Sequence, residues 1–326
     1  MAKTRKSHPR FRREGEPPRI ELTDDDVQIL RCVYQHRFIS SDDLFRLFDH
    51  RSPDKISRRL TLLWRNNFLD RPDSQIDYHR LGGGSSSYAH GLGNAGATLL
   101  KDKVGRQIGT GDWHTRNRRY TRESLDHTLA ITRFLVDVEI ACRQRGDVEY
   151  ISFAEILKTA PVETQEAPVP GRWKVPLNWQ GGRGAVMIEP DAIFGLRATA
   201  PDGKRKESFV FLEIDRGTMT VVPNERTRDS ETFLHRTSVL RKFVCYAESY
   251  RQGRHKEQFG IPSARIITLT TSAGRVEAMR DAAREHVVQS MRMPPGLLVF
   301  AVQTEGDPFG IPMQNSAGVQ TGLLPS

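Results

Sequence analysis

The chain is 326 residues long and carries 49 Lys and Arg against 40 Asp and Glu, which gives a formal net charge of +9. This length predicts two domains with separate cores, and the cationic excess favours a polyanionic partner, nucleic acid ahead of an anionic membrane. Its three distant cysteines argue against a disulfide framework or a zinc–cysteine site, and no apolar run is long enough to cross a bilayer, so we expect a cytoplasmic protein with no membrane partner.

The first 20 residues form a basic segment in which seven Lys and Arg are mixed with Pro, Gly and Ser. Such a composition cannot bury much apolar surface, and it predicts a disordered arm over residues 1–20. Two interpretations stay open for this arm: contact with DNA phosphates, or a solvated tail.

The pattern from residue 21 to residue 105 predicts three short helices, a β-hairpin with a Gly-rich tip, and a fourth helix. The first helix lies in "LTDDDVQILRCVYQHRFIS" and the third in "SPDKISRRLTLLWRNNFLDR". Ser52 is the expected cap of the third helix and Pro53 its first residue. This order of elements is typical of a winged helix-turn-helix domain.

The exposed face of the third helix is basic, and in a winged helix this helix enters the major groove of DNA while the hairpin lies along the backbone. We therefore expect duplex DNA as the partner, with simple solvation of the charged face as the alternative. A basic linker over residues 106–122 either extends the phosphate contacts or is a solvated connection. The candidate DNA-binding residues are Lys55, Arg58, Arg59 and Arg65 on the helix, His79 and Arg80 on the hairpin, and Arg116, Arg118 and Arg119 in the linker.

The region from 123 to 304 begins with a long amphipathic helix and continues with strands, a helix and further strands. A helix, an antiparallel meander, a helix and a strand make up the common core of PD-(D/E)xK nucleases, the restriction-endonuclease-like fold. The predicted fold class is therefore α/β (α+β overall), a winged helix-turn-helix followed by a PD-(D/E)xK-like mixed-sheet domain. Residues 305–326 are rich in Gly and Pro and are predicted to be a disordered tail.

Two stretches of this second half place acids at strand ends. "PDAIF" contains Asp191, and "FVFLEIDRGTMTVV" contains Glu213 and Asp215 after four apolar residues. Mg²⁺ prefers oxygen ligands, is usually held by one or two carboxylates, and keeps water molecules for attack on a phosphate. Asp191, Glu213 and Asp215 are therefore the candidate metal-binding and catalytic residues, and Mg²⁺ is the candidate cofactor.

The residue types around Glu213 argue against a working nuclease. Two residues after this glutamate, where PD-(D/E)xK nucleases carry Lys, the chain has Asp215. Arg216 or Lys242 would have to supply the missing cation from another direction. In the alternative interpretation Asp191 caps a turn and the other acids form a buried network with Arg216, Arg226 or Arg228.

The expected strand register is a second argument against the nuclease. A two-residue turn at Asp202-Gly203 would place Asp191 opposite Ile214, on the face away from Glu213. A β-bulge or a longer loop would shift the pairing by one residue and bring the two acids to the same face.

Several of these stretches resemble the replication-relaxation family of plasmids and integrative elements, which is also similar to accessory mobilisation proteins of relaxosomes. The resemblance spans residues 22–302 and is carried by "LTDDDVQILRCVYQHRFIS", "HTLAITRFLVDVEIA", "EPDAIF" and, most specifically, "FLEIDRGT". It implies a winged helix and a restriction-endonuclease-like domain that act at replication or transfer origins. The acids that carry over are Asp191, Glu213 and Asp215, followed by Arg216, and the Glu-x-Asp spacing is the form that the family shows.

Three functions agree with these patterns. The main prediction is a DNA-binding protein of a plasmid or integrative mobile element that acts in replication control or conjugative mobilisation. The alternatives are a Mg²⁺-dependent DNA nickase using Asp191, Glu213 and Asp215, and a transcription regulator whose C-terminal domain dimerises or senses a ligand. Expected partners besides duplex DNA are a relaxase or replication initiator and a second copy of the chain.

Overall fold

The computed structural model describes residues 11–76, 87–104, 111–179, 182–199, 203–224, 233, 235 and 237–324. The chain divides into two compact units, Met1–Val136 and Asp137–Ser326. Helices are combined with a three-stranded, a seven-stranded and a two-stranded sheet, which confirms the predicted α/β class. Within the described ranges, no helix is both long enough and apolar enough to cross a membrane.

The first unit begins with three short helices that surround a small antiparallel sheet. Its elements are α1 (Asp24–His36), β1 (Phe38–Ser40), α2 (Ser41–Leu47), α3 (Pro53–Arg65), β2 (Leu69–Asp70), β3 (Ala89–Leu92), α4 (Asn94–Val104) and α5 (Trp113–Arg118). The strand order is β1-β3-β2, with both pairings antiparallel. Thr23 and Asp26 form a capping box that starts α1. Pro53 is the first residue of α3, as the sequence predicts, and Ser52 lies at the cap position but its side chain makes no capping hydrogen bond. The tip between β2 and β3, with His79 and Arg80, lies outside the described residues.

Residues 11–20 differ from the predicted disordered arm because they lie against the C-terminal end of α3. Arg13 donates from Nε to the carbonyl oxygen of Trp64 at 2.7 Å and from Nη2 to that of Leu69 at 2.9 Å. Arg65 donates in turn to the carbonyl oxygen of Glu16 at 3.0 Å. The last carbonyls of a helix have no partner inside it, and a guanidinium satisfies them well.

The predicted basic linker also contains regular structure. Asp112 caps α5 by accepting from the backbone N–H of His114 at 3.0 Å, so residues 113–118 form a helical turn and a half instead of an irregular connection. Asn117 of α5 is fully buried and donates to the Asp70 carboxylate at 2.9 Å. This hydrogen bond attaches the supposed linker to β2 of the first unit.

The second unit is built on a mixed sheet. The long helix α6 (Arg122–Arg145) contains the boundary between the units, which falls later than the expected start at residue 123. The elements that follow are β4 (Val148–Ile151), α7 (Phe153–Thr159), α8 (Val162–Glu166), β5 (Trp173–Trp179), β6 (Gly182–Ile188), β7 (Ala192–Thr199), β8 (Arg205–Ile214), α9 (Val239–Arg251), α10 (Arg254–Phe259), β9 (Ala264–Thr270), α11 (Ala273–Ala283), β10 (Leu298–Val302), β11 (Met313–Asn315) and β12 (Gln320–Thr321). The sheet order is β12-β11-β10-β9-β8-β7-β4, parallel at β8–β9 and β9–β10 and antiparallel elsewhere.

The C-terminal segment is ordered, in contrast to the predicted disordered tail over residues 305–326. β11 pairs with β10, and β12 pairs with β11, so this segment extends the main sheet by two strands. Met313 and Leu323 are buried there, and Gly318 provides the positive φ of +79° that the connecting turn requires. Gly and Pro in this segment mark turns between very short edge strands.

One face of the main sheet carries the core that positions the candidate site. Phe211 of β8 and Phe300 of β10 lie in this core with Phe243 and Val244 of α9. The β5–β6 hairpin forms a separate sheet whose side chains alternate between buried and exposed, and its buried face contributes Trp173 to the same core. The hairpin therefore packs against α9 and also reaches β8, since the ring centroids of Trp173 and Phe211 are 5.4 Å apart.

Candidate functional site

The pairing of β7 with β8 brings Asp191 and Glu213 together. Ala192 pairs with Leu212 and Thr199 with Arg205, so the next position along the ladder sets Asp191 opposite Glu213. The Oδ2 atom of Asp191 accepts a hydrogen bond from the backbone N–H of Ile214 at 2.7 Å. The register therefore corresponds to the longer loop, and the two-residue turn that would have separated the acids is not formed.

Glu213 is a buried carboxylate with a partner for each of its oxygens. It is 5% exposed and lies on the same face of β8 as Phe211, toward α9. The Tyr246 hydroxyl donates to Oε1 at 2.5 Å, and the Lys242 Nζ atom donates to Oε2 at 2.5 Å. The two donors are four residues apart on α9 and thus share one face of that helix.

The charges of this cluster influence one another strongly. Burial raises the pKa of Glu213 to about 6, with Lys242 opposing the shift and Asp191 adding to it. Burial alone would lower the pKa of Lys242, but the Glu213 and Asp191 carboxylates hold that pKa above its ordinary value. The Glu213 carboxylate and the Lys242 ammonium group therefore favour each other's charged form.

A cleft of about 190 Å³ opens from Glu213 to the surface between β6 and α9. One wall is apolar and consists of Val186, Met187 and Ile188, with Met187 54% exposed. Arg241 and Lys242 supply cations from the other wall. The Nε–H of Arg241 is buried and has no hydrogen-bond partner in the part of the chain that the structure describes. A negatively charged ligand would meet both cations in this cleft.

Asp215, the third predicted acid, belongs to a different set of contacts. Arg275 of α11 donates to both of its oxygens, with 2.8 Å between Nη2 and Oδ1, and the Thr270 hydroxyl donates to Oδ2 at 2.6 Å. Burial opposes ionisation, but these hydrogen bonds keep the pKa of Asp215 below its ordinary value. The alternative of an ion-pair network thus applies to Asp215, with Arg275 as its partner; Arg226 and Arg228 lie outside the described residues.

The remaining two carboxylates fit a single hard cation. Among the described residues, no three His, Cys, Asp or Glu side chains gather into a metal-binding group. Mg²⁺ needs only one or two carboxylates, however, and Asp191 and Glu213 provide them from neighbouring strands. Thr268, which pairs with Glu213 across β8 and β9, adds a buried hydroxyl that lacks a hydrogen-bond partner in the described ranges.

The cations predicted to contact DNA in the first unit fall into two groups. Lys55 and Arg58 are exposed and line a groove of about 410 Å³ between α1 and α3. Arg59 instead donates to the fully buried Asp26 carboxylate, with 2.9 Å between Nε and Oδ1, and to the Glu21 carbonyl oxygen. Arg65 holds the N-terminal segment, as described above.

The predicted linker residues lie on or just after α5. The guanidinium of Arg116 is 5.3 Å from the Trp113 ring centroid, and the Nε atom of Arg118 is 4.0 Å from the Asp73 carboxylate. Arg119 is exposed. All three cations remain at the surface of the first unit.

Comparison with known proteins places the chain in a family. A profile described as replication-relaxation matches residues 30–263, well over half of the chain. The chain belongs to the replication-relaxation family. Membership indicates a role in the replication or mobilisation of a plasmid or other mobile element. No curated protein and no solved structure is significantly similar to the chain.

The segment shared with the replication-relaxation family contains the two candidate metal-binding acids and the residues that donate to Glu213. Asp191, Glu213 and Lys242 lie inside it, and so does Tyr246, which the sequence analysis missed. The spacing of four residues between a Lys and a Tyr on an apolar helix could have predicted two hydrogen-bond donors on one face of that helix. Arg275 lies beyond the shared segment, and no local pattern connects it with Asp215.

Proposed function

We propose that this replication-relaxation protein binds duplex DNA at a replication or transfer origin of a mobile element through its first unit. Three helices with a three-stranded antiparallel sheet, in the order described above, are the parts of a winged helix-turn-helix. In that fold α3 enters the major groove and the segment between β2 and β3 follows the backbone. The net charge of +9 supports a polyanionic partner.

The contrast between Arg58 and Arg59 carries this proposal. Arg59 is bound to Asp26, whereas Arg58 and Lys55 are exposed and have no ion-pair or hydrogen-bond partner within the described ranges. Ser57 and Thr61 are also exposed on α3. A helix face with unpaired cations between small hydroxyl side chains suits contact with phosphates and base edges.

Salt-dependent binding to a labelled origin duplex tests the proposal. The Lys55→Ala/Arg58→Ala double variant should bind more weakly, and the slope of log K against log[salt] should fall by about 0.9 for each phosphate that the variant no longer neutralises. Lys158→Ala/Arg143→Ala removes two cations from the second unit and serves as the control of equal charge. Equal affinities for the two double variants would overturn the assignment to α3. A footprint at a promoter and none at an origin would favour the transcription regulator.

A second candidate function is Mg²⁺-dependent cleavage of one DNA strand in the cleft of the second unit. The observation that favours it is the placement of Asp191 and Glu213 on one sheet face with Lys242 bound to Glu213. Asp191 and Glu213 would hold the cation, and Lys242 would offset negative charge near the attacked phosphate. When bound, Mg²⁺ supplies polarisation of the phosphate and a coordinated water of lowered pKa. Asp215 is left out of this proposal because its partners, Arg275 and Thr270, are separate from those of Asp191 and Glu213.

Relaxation of a supercoiled plasmid that carries the origin tests this second function. Purified protein with Mg²⁺ should produce the open circular form, and Glu213→Gln and Lys242→Met should each abolish it. Glu189→Gln is the matched control, since Glu189 lines the same cleft but is exposed and pairs with Arg172. Failure of the wild-type protein to relax a verified origin would reject cleavage by this protein alone.

A further inference from the structure

We propose that Tyr246 is a positioning residue that fixes the Glu213 carboxylate for binding of a divalent cation; this inference rests on the proposed cleavage function. Tyr246 would not touch the cation or the DNA. Its hydroxyl would hold one carboxylate oxygen in place while Lys242 holds the other.

The geometry of α9 gives Glu213 a single orientation. Tyr246 is 3% exposed, and its hydroxyl lies 2.5 Å from Oε1, while Lys242, one helical turn earlier, lies 2.5 Å from Oε2. A carboxylate with one donor on each oxygen from the same rigid helix cannot rotate about its last bond without losing both hydrogen bonds. Asp191 is fixed similarly by the Ile214 N–H. Both candidate ligands are therefore oriented before a cation arrives.

The Tyr246 hydroxyl is itself held by packing. The ring lies in the core of the second unit, with its centroid 6.3 Å from that of Phe211. Replacement by Phe would keep this ring in place and remove only the donor. Partners that orient metal ligands in this way typically contribute 10- to 100-fold in metal affinity. A merely structural hydroxyl would affect stability and leave cation affinity unchanged.

Binding of Mn²⁺ to the full-length protein without DNA tests the inference. Free Mn²⁺ is measured by its electron paramagnetic resonance signal for the wild type, Tyr246→Phe and Tyr250→Phe, at a temperature where circular dichroism shows all three folded. We expect Tyr246→Phe to bind Mn²⁺ at least about tenfold more weakly. Tyr250→Phe should bind Mn²⁺ as the wild type does. Tyr250 lies one turn after Tyr246 on α9, and its ring stacks on His255 of α10, with 4.8 Å between the ring centroids.

The outcomes separate the inference from the function on which it rests. Wild-type Mn²⁺ affinity in Tyr246→Phe would overturn the role of Tyr246 and leave the proposed cleavage function standing. Absence of Mn²⁺ binding by the wild type would overturn both. In the plasmid assay, Tyr246→Phe should lower kcat with little change in KM for DNA, since the first unit supplies the DNA affinity. An increase in KM alone would contradict the positioning role.

Discussion

Arg275 binds both carboxylate oxygens of Asp215 and thereby joins the end of β8 to α11. The side chains are only 17% and 11% exposed, and Thr270 adds a hydrogen bond from β9. The acid that follows Glu213 at the position of a nuclease lysine therefore stabilises the fold around the site.

Replacement of Asp215 should weaken the second unit without affecting cation binding. Asp215→Ala leaves a largely buried guanidinium unpaired, and we expect the free energy of unfolding in urea to fall by about 3 kcal/mol. Asp281→Ala, which breaks exposed contacts with Arg280 and Arg284, should cost less than about 1 kcal/mol. Loss of Mn²⁺ binding at unchanged stability would instead make Asp215 a ligand.

Alanine substitution of the two adjacent arginines of α3, Arg58 and Arg59, should affect different properties of the protein. Arg59→Ala leaves the buried Asp26 without its cation, so we expect a loss of about 2 kcal/mol in the free energy of unfolding. Arg58→Ala should leave stability within about 0.5 kcal/mol and reduce DNA affinity. Thermal unfolding and binding to the origin duplex, measured on both variants, give the comparison. A fully stable Arg59→Ala protein with weakened DNA binding would reverse the two roles.

Two buried histidines should make the first unit sensitive to acid. Burial lowers the pKa of His36 to about 4, partly opposed by Asp43, and burial with a contribution from Arg71 lowers the pKa of His90 to about 3. The unfolded chain binds protons at these side chains near pH 6.5, and the folded chain does not. The free energy of unfolding should therefore fall as pH drops below 6.5, by at most about 1.4 kcal/mol per pH unit for each histidine.

Urea unfolding at pH 7 and pH 5 measures this dependence. His90→Gln should reduce the loss of stability between the two values, because Gln can still bond to the Ser41 hydroxyl, which lies 2.9 Å from Nε2 of His90, but does not titrate. The exposed His50 of the same unit gives the control variant His50→Gln. An equal change in the free energy of unfolding between pH 7 and pH 5 for all three proteins would show that protonation of His90 does not destabilise the folded state.

The ordered C-terminal hairpin can be tested with one substitution at a buried position and one at an exposed position. Met313 is fully buried, so Met313→Asp places an unpaired charge in the core and should cost more than about 3 kcal/mol. Val319 is 60% exposed, and Val319→Asp should be nearly neutral. Equal thermal stability of the two variants would agree with a disordered tail and contradict the added strands.

Local signals predicted much of this fold. Proline at the start of α3 and the apolar run of β8 both depend on neighbouring residues, and each is found where it was expected. Arg275 and Asp215 are sixty residues apart in the chain and meet only because β8 and β9 are parallel neighbours. No periodicity predicts that contact.

The errors at the two ends of the chain have a common physical cause. Composition rich in Gly, Pro or Arg predicted disorder for residues 1–20 and 305–326, of which the structure describes 11–20 and 305–324. Both segments are short and bury few apolar side chains. The N-terminal one is held by hydrogen bonds to backbone carbonyls, and the C-terminal one pairs with the edge of the main sheet. The register at Asp191 was likewise undecidable from the sequence, since it depends on one residue of loop length.

The hydrogen bond from the Ile214 amide to Asp191 determines how the proposed cleavage site is best inactivated without disturbing the fold. Alanine at position 191 would remove an acceptor from the end of β8 and disturb Glu213 next to it. Asparagine keeps an oxygen for the amide and removes only the charge. If the proposed cleavage is found, Asp191→Asn is therefore the substitution with which to prepare an uncleaved origin complex for structural work.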